Sequence, residues 1–176
     1  MRRLIFVLPV AAFMALAGYF LAVLSRDPAV LPSAMIDQPA PAFTLAGLGD
    51  KPGLASGELA GQVVLVNFFA SWCIPCRTEH AVLMRLPVEL DAPLYGIDYK
   101  DKPEDAARFL GELGNPFGRI GADRDGRVAI DFGLYGVPET YVIDKAGRIR
   151  LRHVGPLTPQ DVAREIGPLV KALQRS

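Results

Sequence analysis

Residues 63–76 read VVLVNFFASWCIPC, an apolar run that leads directly into two cysteines three positions apart. The run 63–70 is β-branched and aromatic almost throughout, which is typical of a strand covered on both faces, as in a parallel sheet. Apolar residues on one side of the segment that follows indicate a helix that stops at Pro87. The sequence therefore predicts a central strand, a cysteine turn and a helix, in that order.

Periodicity indicates further elements beyond this segment. They are a strand at 94–99, a helix at 103–113, a hairpin of two strands at 139–143 and 149–153, and a helix at 159–173. The stretch Asp123-x-Asp125-Gly126 faintly resembles a calcium-binding loop, but it lacks the later ligands and is interpreted as a turn. The alternation of strands and helices predicts an α/β domain.

The composition limits both the size and the class of the protein. With 176 residues, 51% of them hydrophobic, the chain has enough apolar material for one compact domain and one additional segment. Its 19 basic and 19 acidic residues give a formal net charge of zero, which offers no basic face for nucleic acid. Two cysteines are too few for a disulfide scaffold, so local chemistry at this pair is expected.

The N-terminal segment predicts a membrane anchor. Residues 4–24 contain no charge, and at about 1.5 Å per residue they can cross a hydrocarbon core of roughly 30 Å. Arg2 and Arg3 precede them, so the positive-inside rule places the N-terminus in the cytoplasm and the rest of the chain outside. A signal peptide cleaved near Ala15-Leu16-Ala17 is the alternative. The predicted division is an anchor at 1–25, a proline-rich linker at 26–41 and a folded domain at 42–176.

The spacing of Cys73 and Cys76 has a chemical explanation. The nucleophile in disulfide exchange is a thiolate, and the unpaired N–H groups at a helix N-terminus lower the pKa of a cysteine placed there. Cys73 falls at the start of the predicted helix, and Cys76, one turn later, can resolve a mixed disulfide. Pro75 suits the first turn, because its missing N–H has no helical partner to lose. A zinc half-site formed by the two cysteines with His80 and His153 is the alternative.

Two motifs resemble those of thioredoxins. Residues 69–76, FASWCIPC, resemble the thioredoxin active-site segment, and residues 136–140, GVPET, resemble the second motif, a cis-proline that faces the cysteines. Four segments together resemble the CcmG/DsbE family, the membrane-anchored reductants of cytochrome c maturation: 77–80, RTEH; 98–101, DYKD; 113–117, LGNPF; and 135–140, YGVPET. Across residues 38–174 the resemblance implies a thioredoxin-like α/β fold with a mixed central sheet, a β extension around 42–62 and an insertion around 115–135.

The resemblance also assigns roles to the matching residues. Cys73 would be the exposed nucleophile and Cys76 the resolving thiol, and the two would form the redox-active disulfide. Pro138 would be the cis-proline, with a turn proline in trans as the alternative, and Val137 would offer backbone groups to an extended substrate. Trp72 is expected to line the substrate groove.

Acidic residues are expected to complete the site. Ordinary thioredoxins carry a buried aspartate at the strand position that Asn67 occupies here, and this aspartate moves protons for the resolving cysteine. Because asparagine cannot do so, Glu79, three residues after Cys76, is predicted to act instead. Glu139, beside Pro138, is the second candidate, which would raise thiol pKa values and attract complementary partners. A solvated helix carboxylate and a plain strand-end glutamate are the respective alternatives.

By resemblance, the activity is the reduction of disulfides in apocytochrome c, or in a cytochrome c maturation protein, before haem attachment. The electrons would come from a membrane thiol transporter. The domain would act as a monomer on the periplasmic side of the bacterial inner membrane, with no cofactor or metal. Spacing alone leaves the direction open, because a CxxC pair is a reductant or an oxidant according to its potential. A general periplasmic disulfide oxidase and a copper or zinc carrier that uses the same thiols are the alternatives.

Overall fold

The computed structural model describes residues 4–24 and 35–176. These residues belong to two compact units, Met1–Pro32 and Ser33–Ser176. In the first unit, the apolar segment forms helix α1, Leu4–Leu24. Among the helices that the structure describes, none meets the length and hydropathy that a membrane crossing requires. The anchor predicted from the sequence stays a prediction.

The second unit is built on a five-stranded sheet, whose strands are β3, Val64–Phe69; β4, Leu94–Tyr99; β5, Arg119–Asp123; β6, Glu139–Ile143; and β7, Ile149–Val154. Their order in the sheet is β5-β4-β3-β6-β7. Strands β3, β4 and β5 run parallel to one another, whereas β6 and β7 each pair antiparallel with their neighbours. The predicted mixed sheet is confirmed, and β3 lies at its centre.

Helices connect and flank these strands. They are α2, Ile74–Leu83; α3, Leu86–Leu90; α4, Pro103–Leu113; α5, Arg127–Asp131; α6, Pro159–Asp161; a π-helical turn, Val162–Ile166; and α7, Gly167–Arg175. The predicted helix after the cysteines is divided, since α2 ends before Pro87 and this proline occupies the first turn of α3. Proline is tolerated in a first helical turn, so Pro87 lies within a short second helix rather than at the end of one long helix.

The predicted β extension and insertion are both present. Strands β1, Thr44–Leu45, and β2, Leu54–Ala55, pair antiparallel within the predicted extension and are followed by a 3₁₀ turn, Ser56–Leu59. The insertion at 115–135 supplies β5 and α5, two short elements that periodicity did not predict. The insertion therefore adds the edge strand on the β4 side of the sheet.

Residues 35–41, which the sequence assigned to the linker, belong to the folded unit. The Asp37 N–H donates to the Ile149 carbonyl at 2.7 Å, and the Ala40 N–H donates to the Gly147 carbonyl at 2.9 Å. The assignment to a linker is wrong here because backbone hydrogen bonds, which leave no hydrophobic period, hold this segment against the β6–β7 hairpin. The preceding part of the predicted linker lies outside the described residues.

Strand β3 is buried along its whole length, as predicted. Leu65 and Phe69 face an apolar cluster that includes residues of α2, α4 and α7. Val64, Val66 and Phe68 face a second cluster that includes residues of α5 and β2. We call these two sides of the sheet the α2 face and the α5 face. The alternation of side chains along each strand decides which face a functional residue reaches.

Truncation of Phe132 tests how much packing on the α5 face contributes to stability. Its ring packs edge to face against Phe43, Phe68 and Tyr141, with centroids 5.9, 5.2 and 5.3 Å away. Phe132→Ala should lower the free energy of unfolding by about 3–5 kcal/mol, because the truncation leaves a cavity. Urea denaturation of the oxidised protein, followed by circular dichroism, measures the loss. The control Ile130→Ala, at a side chain 71% exposed, should cost less than about 0.5 kcal/mol; equal losses would contradict this account.

Candidate active site

Cys73 and Cys76 form a disulfide where the chain passes from β3 into α2. Cys73 is the N-cap residue of α2, and the Cys76 N–H donates to Cys73 Sγ at 3.1 Å. Pro75 occupies the first turn, as predicted. In the reduced pair, the same N–H and the positive end of the helix dipole favour a negative sulfur at Cys73. The geometry therefore favours ionisation of Cys73 over that of Cys76.

The loop before β6 covers the disulfide. Cys73, which the resemblance implied to be exposed, is only 3% exposed in the oxidised protein, because its Sγ lies 3.4 Å from the Val137 carbonyl oxygen. The Val137–Pro138 peptide bond is cis, the isomer that the resemblance implied. The Pro138 carbonyl accepts the Gly155 N–H at 3.0 Å, which fixes the loop to the end of β7. Backbone groups of Val137 are thus held beside the sulfur pair.

Exposed apolar side chains flank the two motifs. Trp72 is 56% exposed, Ile74 is 78% exposed and Tyr135 is 69% exposed. The Trp72 Nε1–H donates to the Lys100 carbonyl at 3.3 Å, which orients the indole. Trp72 was predicted to line the groove, whereas Ile74 and Tyr135 were not predicted, because isolated apolar residues in turns show no periodicity. Their adjacency to Cys73 and Val137 was the available signal.

Glu79 lies one turn after Cys76 on α2 and is buried, which excludes a solvated carboxylate. Its Oε2 accepts the Leu157 N–H at 2.7 Å, and its Oε1 accepts an N–H of the Asn67 side chain at 2.9 Å. Burial raises the pKa of this carboxyl from 4.5 to about 7, and the two hydrogen bonds offset only part of the effect. A carboxyl that titrates near neutral pH can exchange a proton close to the resolving cysteine.

Asn67 connects Glu79 to the neighbouring strand. Its Nδ2 donates to Thr140 Oγ1 at 3.0 Å as well as to Glu79, and Asn67 and Thr140 are register partners in β3 and β6. Its Oδ1 is buried and has no hydrogen-bond partner among the described residues. The amide orients the Glu79 carboxyl but cannot titrate. Glu79 is therefore the ionisable member of this group on the α2 face.

Glu139 lies on the other side of the sheet. It pairs with Phe68 in the β3–β6 register and shares the α5 face with Tyr141. Arg152 Nε and Nη2 donate to its two carboxylate oxygens at 2.7 and 2.9 Å, and the Tyr141 hydroxyl and Tyr135 N–H donate to the same carboxylate. The structure therefore does not bring Glu139 to the disulfide. Arg152 balances its charge, and the Tyr135 N–H connects the carboxylate to the loop before β6.

The residues of the zinc alternative are not brought together. His80 is buried, with Nε2 2.9 Å from the Gly114 carbonyl oxygen, and burial lowers its pKa. His153 Nε2 lies 3.9 Å from the Asp161 carboxylate. Within the part of the chain that the structure describes, no three His, Cys, Asp or Glu residues form a group that could hold a metal ion. The arrangement favours redox chemistry of the sulfurs over metal ligation.

A mixed thioredoxin-like sheet, with a cysteine pair at a helix N-terminus beside a cis-proline loop, defines a protein thiol–disulfide oxidoreductase. The model of the Redoxin family matches residues 35–166. The chain is 48% identical to the thiol:disulfide interchange protein DsbE homolog of Paracoccus denitrificans, over 94% of this chain and 93% of that protein. It belongs to the CcmG/DsbE family of thiol:disulfide interchange proteins.

Other relatives are also similar to this chain over most of their length. The thiol:disulfide interchange protein HelX of Rhodobacter capsulatus is 43% identical over 88% of this chain and 87% of that protein. DsbE of Escherichia coli K12 is 41% identical over 96% of this chain and 95% of that protein. A crystal structure assigned as DsbE of Chlorobium tepidum matches with a TM-score of 0.69 at 27% identity, covering 78% of this chain and 97% of that one. The similarity thus spans most of the chain rather than the cysteine motif alone.

Glu79 should make the stability of the oxidised protein depend on pH. Its pKa is about 7 in the folded protein against an ordinary value of 4.5, so the folded state binds this proton more tightly than the unfolded state. The stability that the proton confers is complete below the ordinary pKa and is lost as the pH rises through the folded-state pKa. As the pH rises from the ordinary pKa to the folded-state pKa, the free energy of unfolding of the wild type should fall by on the order of 3 kcal/mol relative to that of Glu79→Gln.

Urea denaturation of both oxidised proteins at a series of pH values measures this difference. The other titrating groups are common to the two proteins, so their contributions cancel in the comparison. Stability curves that run parallel from acid to neutral pH would contradict a raised pKa at Glu79.

Proposed function

We propose that this protein reduces disulfides during cytochrome c maturation, with apocytochrome c or a cytochrome c maturation protein as its substrate before haem attachment. The observation that carries the proposal is the redox disulfide at the N-terminus of α2, with a buried carboxyl of near-neutral pKa one turn behind Cys76. The four family segments and the similarity to DsbE and HelX relatives support it. The domain acts on the periplasmic side of the inner membrane, tethered by an anchor at 1–25.

The first half of the reaction attacks the substrate. In the reduced protein, the Cys73 thiolate, stabilised by the Cys76 N–H, attacks one sulfur of the substrate disulfide. A bond forms between Cys73 Sγ and that sulfur. The other substrate sulfur leaves as a thiolate and takes a proton from solvent. The product is a mixed disulfide.

The second half releases the substrate. The Glu79 carboxylate takes the proton of the Cys76 thiol, and the Cys76 thiolate attacks Cys73 Sγ. The Cys73–Cys76 bond forms, and the remaining substrate sulfur leaves as a thiolate that is then protonated. Two electrons have passed from the cysteine pair to the substrate, and the protein is left in the disulfide form seen here.

A membrane thiol transporter restores the dithiol by the same two exchanges in reverse. One thiolate of the transporter attacks the Cys73–Cys76 disulfide, and its second thiol resolves the mixed disulfide. The transporter dithiol becomes a disulfide while the cysteine pair gains two electrons. Sulfur exchange alone accounts for both halves of the cycle, so the mechanism uses no cofactor.

The substrate lies extended across the loop before β6. Its backbone pairs with Val137 beside Pro138, and the exposed indole of Trp72 contributes apolar surface next to Cys73. Glu139 supports this surface indirectly, because its carboxylate accepts the Tyr135 N–H at 2.8 Å. Strand-like pairing and apolar contact thus bind the substrate, rather than a charge at the sulfurs.

The reduction potential of the Cys73/Cys76 pair tests the direction of electron flow. We expect a value at or below the glutathione couple, about −220 to −260 mV. The full-length protein is equilibrated against a glutathione or dithiothreitol series, and its thiols are counted by alkylation. A value near about −120 mV, typical of a strong periplasmic oxidant, would overturn the reductant role and make the protein a disulfide donor.

Tight, stoichiometric copper or zinc on the reduced protein without reductase activity would identify a metal carrier instead.

Trapping of the mixed disulfide tests the assigned order of the two cysteines. Cys76→Ser should accumulate a covalent complex with an oxidised peptide that carries the C-x-x-C-H haem-attachment motif, because nothing resolves the intermediate. Non-reducing electrophoresis of the full-length variant detects the adduct. Cys73→Ser is the matched control and should trap at least about tenfold less, since the N–H contact at the start of α2 favours a thiolate at Cys73 and not at Cys76. Equal trapping by both variants would refute Cys73 as the attacking residue.

A further inference from the structure

A second buried acid lies at the same edge of the sheet as the disulfide. Asp98 ends the buried part of β4 and is only 2% exposed, and its Oδ1 has no hydrogen-bond partner among the described residues. It pairs with Phe69 in the parallel β3–β4 register, so it lies beside the point where β3 gives way to the cysteine turn. The reaction described above makes no use of this carboxyl.

The segment after Asp98 holds the residues that precede Cys73. The Asp101 carboxylate accepts the Ser71 N–H at 2.5 Å through one oxygen and the Ser71 hydroxyl at 3.0 Å through the other. Between the two acids, Lys100 adopts a φ of +46°, and its carbonyl accepts the Trp72 Nε1–H at 3.3 Å. Residues 98–101 therefore fix both the backbone and the indole of the turn that leads into the N-cap of α2.

Ionisation of both Asp98 and Asp101 is electrostatically unfavourable. Burial raises the pKa of Asp98 to about 8, and the negative charge of Asp101 and a hydrogen bond with it add to the effect, while Arg124 opposes it. A neutral Asp98 can donate its proton to Asp101, which leaves the Asp101 carboxylate free to accept from Ser71. Two facing carboxylates would repel each other and disturb those acceptor bonds.

We propose that Asp98 and Asp101 share one proton and that neutral Asp98 is a positioning residue, which keeps the Asp101 carboxylate on Ser71 and so holds Trp72 and Cys73 at the start of α2. The inference rests on the proposed function, since it assigns a purpose to the turn that carries the attacking sulfur. Loss of the shared proton loosens the turn and weakens the alignment of Cys73 with the helix N-terminus.

Two charged groups act on Asp98. Asp101 belongs to the same segment, and Arg124 follows β5. The cysteines do not titrate in the disulfide form, so an oxidised sample removes their contribution. Glu79 titrates on the same face of the sheet and has to be separated by its own variant.

Trp72 is the single tryptophan of the chain, and its indole is bonded to the segment in question, so its fluorescence reports the pair directly. We expect the emission of the oxidised full-length protein to change with a midpoint near pH 8, as the Asp98 pKa implies. Asp98→Asn should abolish this transition, because the amide still donates to Asp101 but does not ionise. Asp123→Asn alters another buried carboxyl, on the adjacent strand, and should retain the transition, as should Glu79→Gln.

Absence of the transition in the wild type, its survival in Asp98→Asn, or its loss in Glu79→Gln would each overturn the proposal. If Asp98→Asn does not fold, Asp101→Asn decides the matter. Removal of the neighbouring charge should move the midpoint to lower pH, and an unchanged midpoint would refute the shared proton.

In reduced protein, Asp98→Asn should also change the pH profile of Cys73 alkylation above neutral pH, which a purely structural role would leave unaltered. The fluorescence titration needs neither substrate nor electron donor, so its failure leaves the proposed function standing, and the reverse also holds.

Discussion

The Cys76 N–H donates to Cys73 Sγ at 3.1 Å, and this contact depends on β3 delivering the chain directly into α2. Because β3 is apolar on both faces, it has to lie in the middle of the sheet with both faces covered. Its carboxyl end, and with it the N-terminus of α2, is therefore fixed by the core rather than by a loop. The sulfur chemistry rests on rigid elements, which is what precise placement of a reactive pair requires.

Of the four carboxyls that are buried in the described part of the chain, Asp123 accepts two backbone N–H groups of α5, and the other three differ in how their charge is compensated. Glu139 is matched by Arg152 on the α5 face, so its charge is compensated by a bidentate ion pair. Among the residues that the structure describes, none forms an ion pair with Glu79 or Asp98, and burial raises both of their pKa values instead. The two acids whose protonation changes near neutral pH are thus the two that lie near the cysteine turn. The third is a structural support for the loop that carries Pro138.

The parts of the fold and site that local patterns encode were predictable from the sequence. The run into Cys73 specifies β3 and the N-cap of α2 by its own composition, and the helix spacing places Glu79 one turn behind Cys76. The face reached by Glu139 was not predictable, because it depends on the register between β3 and β6, and a shift of one residue reverses it. Asp98 and Asp101 were recognised only as part of a family segment, since the hydrogen bonds between Asp101 and Ser71 join residues 30 positions apart.

The helix N-terminus and the two acids Glu79 and Asp98 have opposite effects on the stability of the Cys73 thiolate. These effects influence the reduction potential and so the direction of electron flow. A cysteine pair is a strong oxidant when its reduced form is stabilised, and a helix N-terminus that favours the Cys73 thiolate acts in that sense. Negative charge near the pair acts in the opposite sense, because it disfavours a thiolate. Glu79 and Asp98 acquire that charge as the pH passes through about 7 and about 8. A less stabilised dithiol makes the disulfide relatively more stable and lowers the potential, which is the property a reductant needs.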